Sequence, residues 1–305
     1  MLTHRGTYLL PLDSFKPLEF EDKEVFDEFL HQDPPFISEL TFSNLYMWRR
    51  KHRPVWRIGE RCLLIVFRPE GESPFGLFPV GSGDKREALN LLLEELGTAT
   101  DEAKICRVDE KSLKMLPDPE RFRIDQDESN SDYVYLTQEL IALSGKKYHR
   151  KKNHLNQFLR KNKYEYVQLD EELLEDIREM QEEWCRMREC EEHPSLSEED
   201  STIREAFSRF GELDYTGCAI LIDNKVEAFS LGEPLNEDTV VIHIEKANPA
   251  IPGLYAAVNQ LFLLNSWAGM KYVNREQDLG IEGLRKAKQS YYPNHMINKY
   301  TLIPR

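Results

Sequence analysis

Two residues in the run TVVIHIEK could move a proton. Side chains of an extended segment alternate in direction, so His243 and Glu245 share one side of it. A histidine beside a carboxylate can take a proton from an attacking hydroxyl or amine. The competing structural reading is a core histidine satisfied by a neighbour. A second stretch, NREQDLGIEGLRKAKQSYY at 274–292, follows a strand that ends near Glu276. Asp278 and Gly280 make a tight turn there, and Gly283 permits close backbone approach. Arg285, Lys286 and Lys288 then line a short helix, with Tyr291 after it. A strand closed by an acid–glycine turn and followed by clustered cations suits an anionic group, with the acid positioning a donor. As plain structure, the same residues make a turn and a surface helix.

The third stretch is GKKYHRKKNHLNQFLRKNKY, residues 145–164. It carries eight Lys or Arg and no acid in a chain of net charge −14, which leaves the other residues at −22. The acid-free window runs over 25 residues, 140–164, in a chain with 54 acids. Wound as a helix, the block puts Tyr148, Leu155 and Leu159 on one face, with Phe158 beside them. Lys146, Arg150, Arg160 and Lys161 fall opposite, with Asn153 and Gln157. A like-charged face repels itself unless an anion neutralises it. Lys146, Lys147, Arg150, Lys151, Arg160 and Lys161 are therefore candidate contacts to a polyanion, the phosphates of a tRNA or of a cofactor. A merely solvated face is the plain alternative.

Punctuation and periodicity give the elements that must hold these stretches. Asp22 caps a helix carrying Phe26, Phe29 and Leu30, Pro34-Pro35 breaks the chain, and SNLYMWRRKH forms a second helix. VWRIG and RCLLIVF are strands joined at Gly59-Glu60, and FGLFPVG is a third. Residues 84–96 have helical period, AKICRV is a strand, KSLKML a short helix, and RFRI and DYVYL strands. From the basic helix onward the order recurs. YEYVQL is a strand, EELLEDIREMQEEWCRMREC a long amphipathic helix, and a second helix covers 199–212. YTGCAILID and KVEAFSL turn at Asn224. After TVVIHIEK come helix GLYAAVNQLFLLNSW, strand KYVNRE, helix EGLRKAKQ and strand INKYTLI. This order, met twice, predicts two copies of one α/β unit joined at 139–145, where Ser144-Gly145 ends a helix. Gly81-Ser-Gly83 is too short to cradle a nucleotide, and no Ser/His/Asp order or Walker loop stands out.

The chain has 305 residues, 40% hydrophobic and 10% aromatic, enough to build real cores. Its longest apolar runs, CLLIVF and CAILI, are strand-sized and far short of a membrane span, and mean hydropathy is −0.58. The start MLTHRGTYLLPLD lacks a charged-then-apolar signal pattern, so a cytoplasmic protein without a transmembrane segment is expected. Cys62, Cys106, Cys185, Cys190 and Cys218 form no C-x-x-C pair and are expected as reduced thiols. Cys185, Cys190 and His193 fit no standard zinc spacing, and no metal site is expected.

Together, GKKYHRKKNHLNQFLRKN, the IEKAN strand end and NREQDLGIEGLRKAKQSYYP resemble the C-terminal domain of phosphatidylglycerol lysyltransferase and its soluble relatives. The resemblance covers most of the chain and is sharpest over 140–305; the pattern DLG-x-x-GLR-x-x-K-x-SY is its specific part. It implies an α/β fold of two tandem GNAT-type domains with mixed sheets flanked by helices, akin to the Fem aminoacyl transferases. It also implies acyl transfer, in the membrane enzymes of an aminoacyl group from charged tRNA to an acceptor hydroxyl or amine. In such a fold the acyl carbonyl lies along the central strand, here TVVIHIEK. The membrane enzymes carry a long transmembrane part that this sequence lacks, which weakens the expectation of a lipid acceptor. GNAT enzymes that use acetyl-CoA hold its pyrophosphate on an R/Q-x-x-G-x-G/A loop. The corresponding stretch, Ala250-Ile-Pro-Gly253-Leu-Tyr255, keeps Gly253 but has no cation and ends in Tyr255.

The expectation is therefore an N-terminal domain over 1–140 and a C-terminal domain over 141–305 that bears the cleft. His243, Glu245 and Asp278 are the catalytic candidates, and Gly253, Gly280, Arg285, Lys288 and Tyr291 the substrate-binding ones. The expected donor is aminoacyl-tRNA, with acyl-CoA the alternative, and the acceptor a small molecule or a lipid headgroup. Two other classes stay open. Tight acetyl-CoA binding would mark a small-molecule N-acetyltransferase. Salt-sensitive binding without turnover would mark a module that binds RNA or anionic lipid.

Overall fold

The computed structural model describes residues 12–305; most of the MLTHRGTYLLPLD start falls outside them. In chain order the strands are β1 (Lys16–Pro17), β2 (Val55–Gly59), β3 (Cys62–Phe67), β4 (Phe75–Gly76), β5 (Ile105–Asp109), β6 (Phe122–Gln126), β7 (Asp132–Leu136), β8 (Tyr164–Gln168), β9 (Thr216–Ile222), β10 (Lys225–Pro234), β11 (Thr239–Ala247), β12 (Tyr272–Asn274), β13 (His295–Ile297) and β14 (Lys299–Pro304). The α-helices are α1 (Lys23–Gln32), α2 (Phe42–Met47), α3 (Arg49–His52), α4 (Lys85–Ala99), α5 (Glu110–Lys114), α6 (Thr137–Ala142), α7 (His149–Lys161), α8 (Leu174–Arg188), α9 (Pro194–Ser208), α10 (Leu254–Ser266) and α11 (Glu282–Gln289).

The strands form two seven-stranded sheets, ordered β1-β2-β3-β4-β5-β14-β6 and β13-β7-β12-β11-β10-β9-β8. Each is mixed in the same way. One parallel pair, β4 with β5 or β11 with β12, sits among antiparallel neighbours. Read from β1 and from β8, the two orders match position by position, which is the duplication anticipated from the element order. The sixth position of each sheet, however, is filled from the other half of the sequence. β14 lies between β5 and β6 in the first sheet, and β7 between β12 and β13 in the second.

The compact units follow this exchange. One takes the residues up to Pro34, Trp48–Asp127 and Asn298–Arg305; the other takes Pro35–Met47 and Glu128–Ile297. A single cut at 140 therefore does not separate them. The alternation in DYVYL and in INKYTLI marks strands but does not say which sheet each completes. INKYTLI itself divides at Asn298, its first part in β13 and the rest in β14. SNLYMWRRKH likewise breaks at Trp48 into α2 and α3, where the chain leaves one unit for the other. Of FGLFPVG, only Phe75–Gly76 is strand, with a lone bridge at Val80 to Leu63.

Local chemistry explains most element bounds. Every residue of β3 is buried, as an unbroken apolar run in an interior strand requires. α4 starts at Asp84, whose carboxylate accepts the Arg86 and Glu87 amides, and it buries Ala88, Leu89, Leu92 and Leu96 in the first core. In the second unit, α7 and α10 bury Leu155, Phe158, Leu254, Val258 and Phe262 in a separate core. α8 ends at Arg188, and Glu189 in the left-handed region turns the chain back. That return sets Cys190 beside Cys185, and the two form a disulfide with Cα atoms 5.0 Å apart. The expectation of five reduced thiols is corrected here; Cys62, Cys106 and Cys218 are free. Among the described residues, no helix is long and apolar enough to cross a membrane.

Candidate active site

β11 and β12 run parallel only from Thr239 opposite Tyr272 to Val241 opposite Asn274, while β11 continues to Ala247. Where backbone pairing stops, side chains take over. His243 Nδ1 lies 2.8 Å from Glu276 Oε1, and Arg275 Nη2 donates to Glu245 Oε1 at 2.8 Å. These two rungs span the part of β11 that β12 no longer covers.

The His243 rung is a clamp. Its Nε2 also meets Glu233 Oε1 at 2.8 Å, and its side chain is only 1% exposed. Ser43 holds the far oxygen of Glu233, and Asn44 donates to Glu276. Burial favours the neutral ring, but hydrogen bonds and charge from Glu233 and Glu276 outweigh it and raise the pKa to about 9. An imidazolium with both N–H groups committed to carboxylates has no nitrogen left to take a proton. The core-histidine reading describes this geometry better than the acid/base one.

The Glu245 rung opens onto a larger cluster. Asn259 donates to the second oxygen of Glu245. The Arg275 guanidinium lies 4.9 Å from the Tyr291 ring centroid and 5.8 Å from that of Tyr135. Its Nη1 is buried without a hydrogen-bond partner. Lys151 approaches the same ring from α7, with Nζ 4.0 Å from the Tyr291 centroid. That ammonium makes no hydrogen bond or ion pair within the described residues. Burial, and then the charge of Arg275, lower its pKa to about 8. Of the six cations expected to contact a polyanion, Lys151 thus turns inward. Lys147 pairs with Glu139, and Lys146, Arg150, Arg160 and Lys161 are exposed.

The 274–292 stretch is held from below. Asp278 accepts the Tyr133 hydroxyl at 2.6 Å, Arg285 Nε at 2.7 Å, Arg285 Nη2 at 3.1 Å and the Gly280 amide at 2.8 Å. Burial alone would raise its pKa; the Arg285, Tyr133 and Gly280 bonds instead lower it. Its acceptor sites are all used, which makes Asp278 the anchor of the turn, with Arg285 its partner. Gly280 is needed for its conformation, φ +73°. Lys288 bonds the backbone carbonyls of Arg275 and Glu276, and burial followed by the Arg275 charge lowers its pKa to about 8. It ties α11 to the end of β12.

Gly253 serves a close approach between helices. A Cβ there would lie 2.2 Å from the His154 carbonyl oxygen of α7, at φ +89°. Glu245, Lys151 and Tyr291 thus meet around Arg275, with Lys288 on the backbone beneath. His243, Asp278, Arg285, Gly253 and Gly280 build the frame. Arg275 is the residue that reading the sequence missed. Its signal was a cation two residues beyond Val273 of β12, on the same side of the extended chain. A cavity of about 560 Å³ in the first unit, lined in part by Phe15, Arg53 and Arg68, includes none of these residues.

Two mixed sheets flanked by helices, of matching strand order, with a split between the parallel strands of the second, define a tandem GNAT fold of the kind shared with FemX. The chain belongs to the phosphatidylglycerol lysyltransferase C-terminal family, whose model matches residues 34–303. A conserved protein of unknown function from Bacteroides thetaiotaomicron is 31% identical, with TM-score 0.89 over 97% of this chain and 100% of that one. L-PGS from Bacillus licheniformis shares the fold at TM-score 0.66 and 16% identity, over 93% and 92% of the two chains. FemX does so at 0.57 and 10%, over 94% and 96%. An uncharacterized protein of Mycoplasmoides gallisepticum is 25% identical over 177 residues, so the match spans little more than half of either chain.

Proposed function

We propose that this protein is an acyltransferase that moves an aminoacyl group from aminoacyl-tRNA to a hydroxyl or amine acceptor. The observation that carries the reading is the meeting of three elements at one buried guanidinium: Lys151 from the basic helix, Glu245 from β11, and Tyr291 from the end of α11. A basic helix that served only solubility would have no reason to send a cation inward. Membership in the lysyltransferase family and the fold shared with FemX support the same class of reaction.

In this reading the tRNA backbone lies on Lys146, Arg150, Arg160 and Lys161. The acyl ester enters between Lys151 and Arg275. Lys151, as the amine, takes the proton of the acceptor as its oxygen or nitrogen attacks the ester carbonyl. Arg275 Nη1, a buried donor without an acceptor, meets the oxygen that becomes negative. The ester C–O bond then breaks, and the ribose oxygen receives the proton from the Lys151 ammonium. Glu245 holds Arg275 in place. An acyl-CoA donor is the weaker reading, because the space beside Gly253 at the start of α10 is filled by α7 backbone.

The test is a transfer assay with mixed aminoacyl-tRNA labelled in the amino acid, offered with lipid and small-molecule acceptors. Loss of label from tRNA to an acceptor supports the reading. Label that stays on tRNA with every acceptor, while acetyl-CoA is turned over, overturns it.

A further inference from the structure

We propose that Tyr292 is a stacking platform for an unpaired base at the 3′ end of the donor RNA. This rests on the donor being an aminoacyl-tRNA. Tyr292 follows the buried Tyr291 yet is 47% exposed. It sits at φ +54°, in the left-handed region, directly before Pro293. A bulky side chain rarely takes that conformation, and the residue before a proline is restricted further. The backbone thus turns the aromatic ring outward at the one place where burial was close at hand.

Its surroundings suit a nucleobase. The ring is braced edge-on by Tyr148 at 5.7 Å with an interplanar angle of 87°, and Lys147 Nζ lies 5.9 Å from its centroid. Tyr148 and Lys147 hold the ring, and its 47% exposure leaves surface to a partner. Tyr148 also donates to the Tyr291 carbonyl at 3.0 Å, which joins the first turn of the basic helix to this spot. Chemistry then sets the distance. The ester under attack hangs on the terminal ribose, so the terminal base must lie within a nucleoside's length of Lys151 and Arg275. Tyr292 is the exposed aromatic next in sequence to Tyr291 of that cluster. Unpaired bases stack on aromatic rings without regard to sequence, and a nearby cation strengthens the contact. The exposed Leu279, Ile281 and Leu284 on the preceding turn and helix are the features that would instead favour an anionic bilayer. A ring held by Tyr148 and Lys147 is less suited to insertion than to stacking.

The experiment compares wild type, Tyr292→Ala and Tyr292→Phe for binding to intact uncharged tRNA and to the same tRNA trimmed of its unpaired 3′ nucleotides. Trimming should weaken wild type by about 5- to 150-fold, the range expected for one stacked base. Tyr292→Ala should bind intact tRNA as wild type binds the trimmed form, and lose nothing more on trimming. Tyr292→Phe should match wild type, and the salt dependence of binding should be unchanged in both variants, because no phosphate contact is lost. Equal weakening of both tRNAs by Tyr292→Ala, or no weakening of either, overturns the stacking role while leaving the tRNA donor intact. If wild type binds neither tRNA, the donor reading and this one fail together. Binding instead to phosphatidylglycerol–phosphatidylcholine vesicles, lost in Tyr292→Ala, would make the surface a membrane contact and overturn the proposal.

Discussion

In the proposed reaction, Lys151 and His243 exchange the roles their residue types suggest. The histidine, held between two carboxylates, keeps its proton through neutral pH; the lysine, half-buried beside Arg275, gives its proton up near pH 8. A general base adds about 10²–10⁴-fold to a rate. Lys151→Met should therefore slow transfer by that factor and remove the rise in rate near pH 8. Lys151→Arg should not restore it, since a guanidinium stays charged. His243 makes a different prediction. Its pKa is raised on folding, so its stabilisation is complete below about pH 6.5 and is lost as pH climbs through about 9. The urea midpoint of wild type relative to His243→Gln should fall as pH rises from about 6.5 to 9. Taking the difference removes the opposite trend of Lys151 and Lys288, whose lowered pKa values favour the fold as pH rises. Arg275→Met should cost about 3–5 kcal/mol by stranding Glu245, and adding Glu245→Gln should recover much of it. A core role for His243 was one of two readings open in the sequence, but its partners were not. Alternation gives the side of a strand on which His243 lies, but not that Glu233 and Glu276 flank it.

At the level of elements, the sequence was most legible where one segment decides its own structure. The helical period of 84–96, the buried run CLLIVF and the inner face of Tyr148, Leu155 and Leu159 with Phe158 beside them are local facts, and the structure keeps them, Leu159 partly buried. The inward turn of Lys151 was overlooked rather than hidden. It was there to be read: three residues after Tyr148 and four before Leu155, Lys151 falls between Leu155 and Phe158 on a helical wheel. What the sequence does not give is that Tyr291 meets it there. The Cys185–Cys190 bond was hidden, because a left-handed residue at the end of α8 brings the two together. The contact of α7 with the start of α10 allows a direct test. Gly253→Ala would place a methyl 2.2 Å from a backbone oxygen at a positive φ, so neither packing nor conformation can absorb it. The variant should melt well below wild type, losing more than the roughly 1 kcal/mol that a compatible glycine-to-alanine replacement gains.

For the molecule as a whole, the duplication was visible in the order of elements, whereas the strand exchange required knowing which edges pair. Deleting 298–305 removes β14 from between β5 and β6. Hydrogen exchange should then show lost protection in β5, β6 and α4, while β9, β10 and β11 keep theirs, since their sheet draws nothing from that segment.

The exchange also reverses the order in which the units can be finished on the ribosome. Synthesis normally lets the earlier domain fold first. Here the first sheet lacks an interior strand until residues 299–304 have emerged, whereas the second has all its strands once Ile297 is free. The earlier-made unit must wait with β5 and β6 unpaired on their facing edges, the condition in which nascent strands are captured by chaperones or by one another. Chains released after Ile297 should therefore yield a protease-resistant second unit joined to a digestible first one.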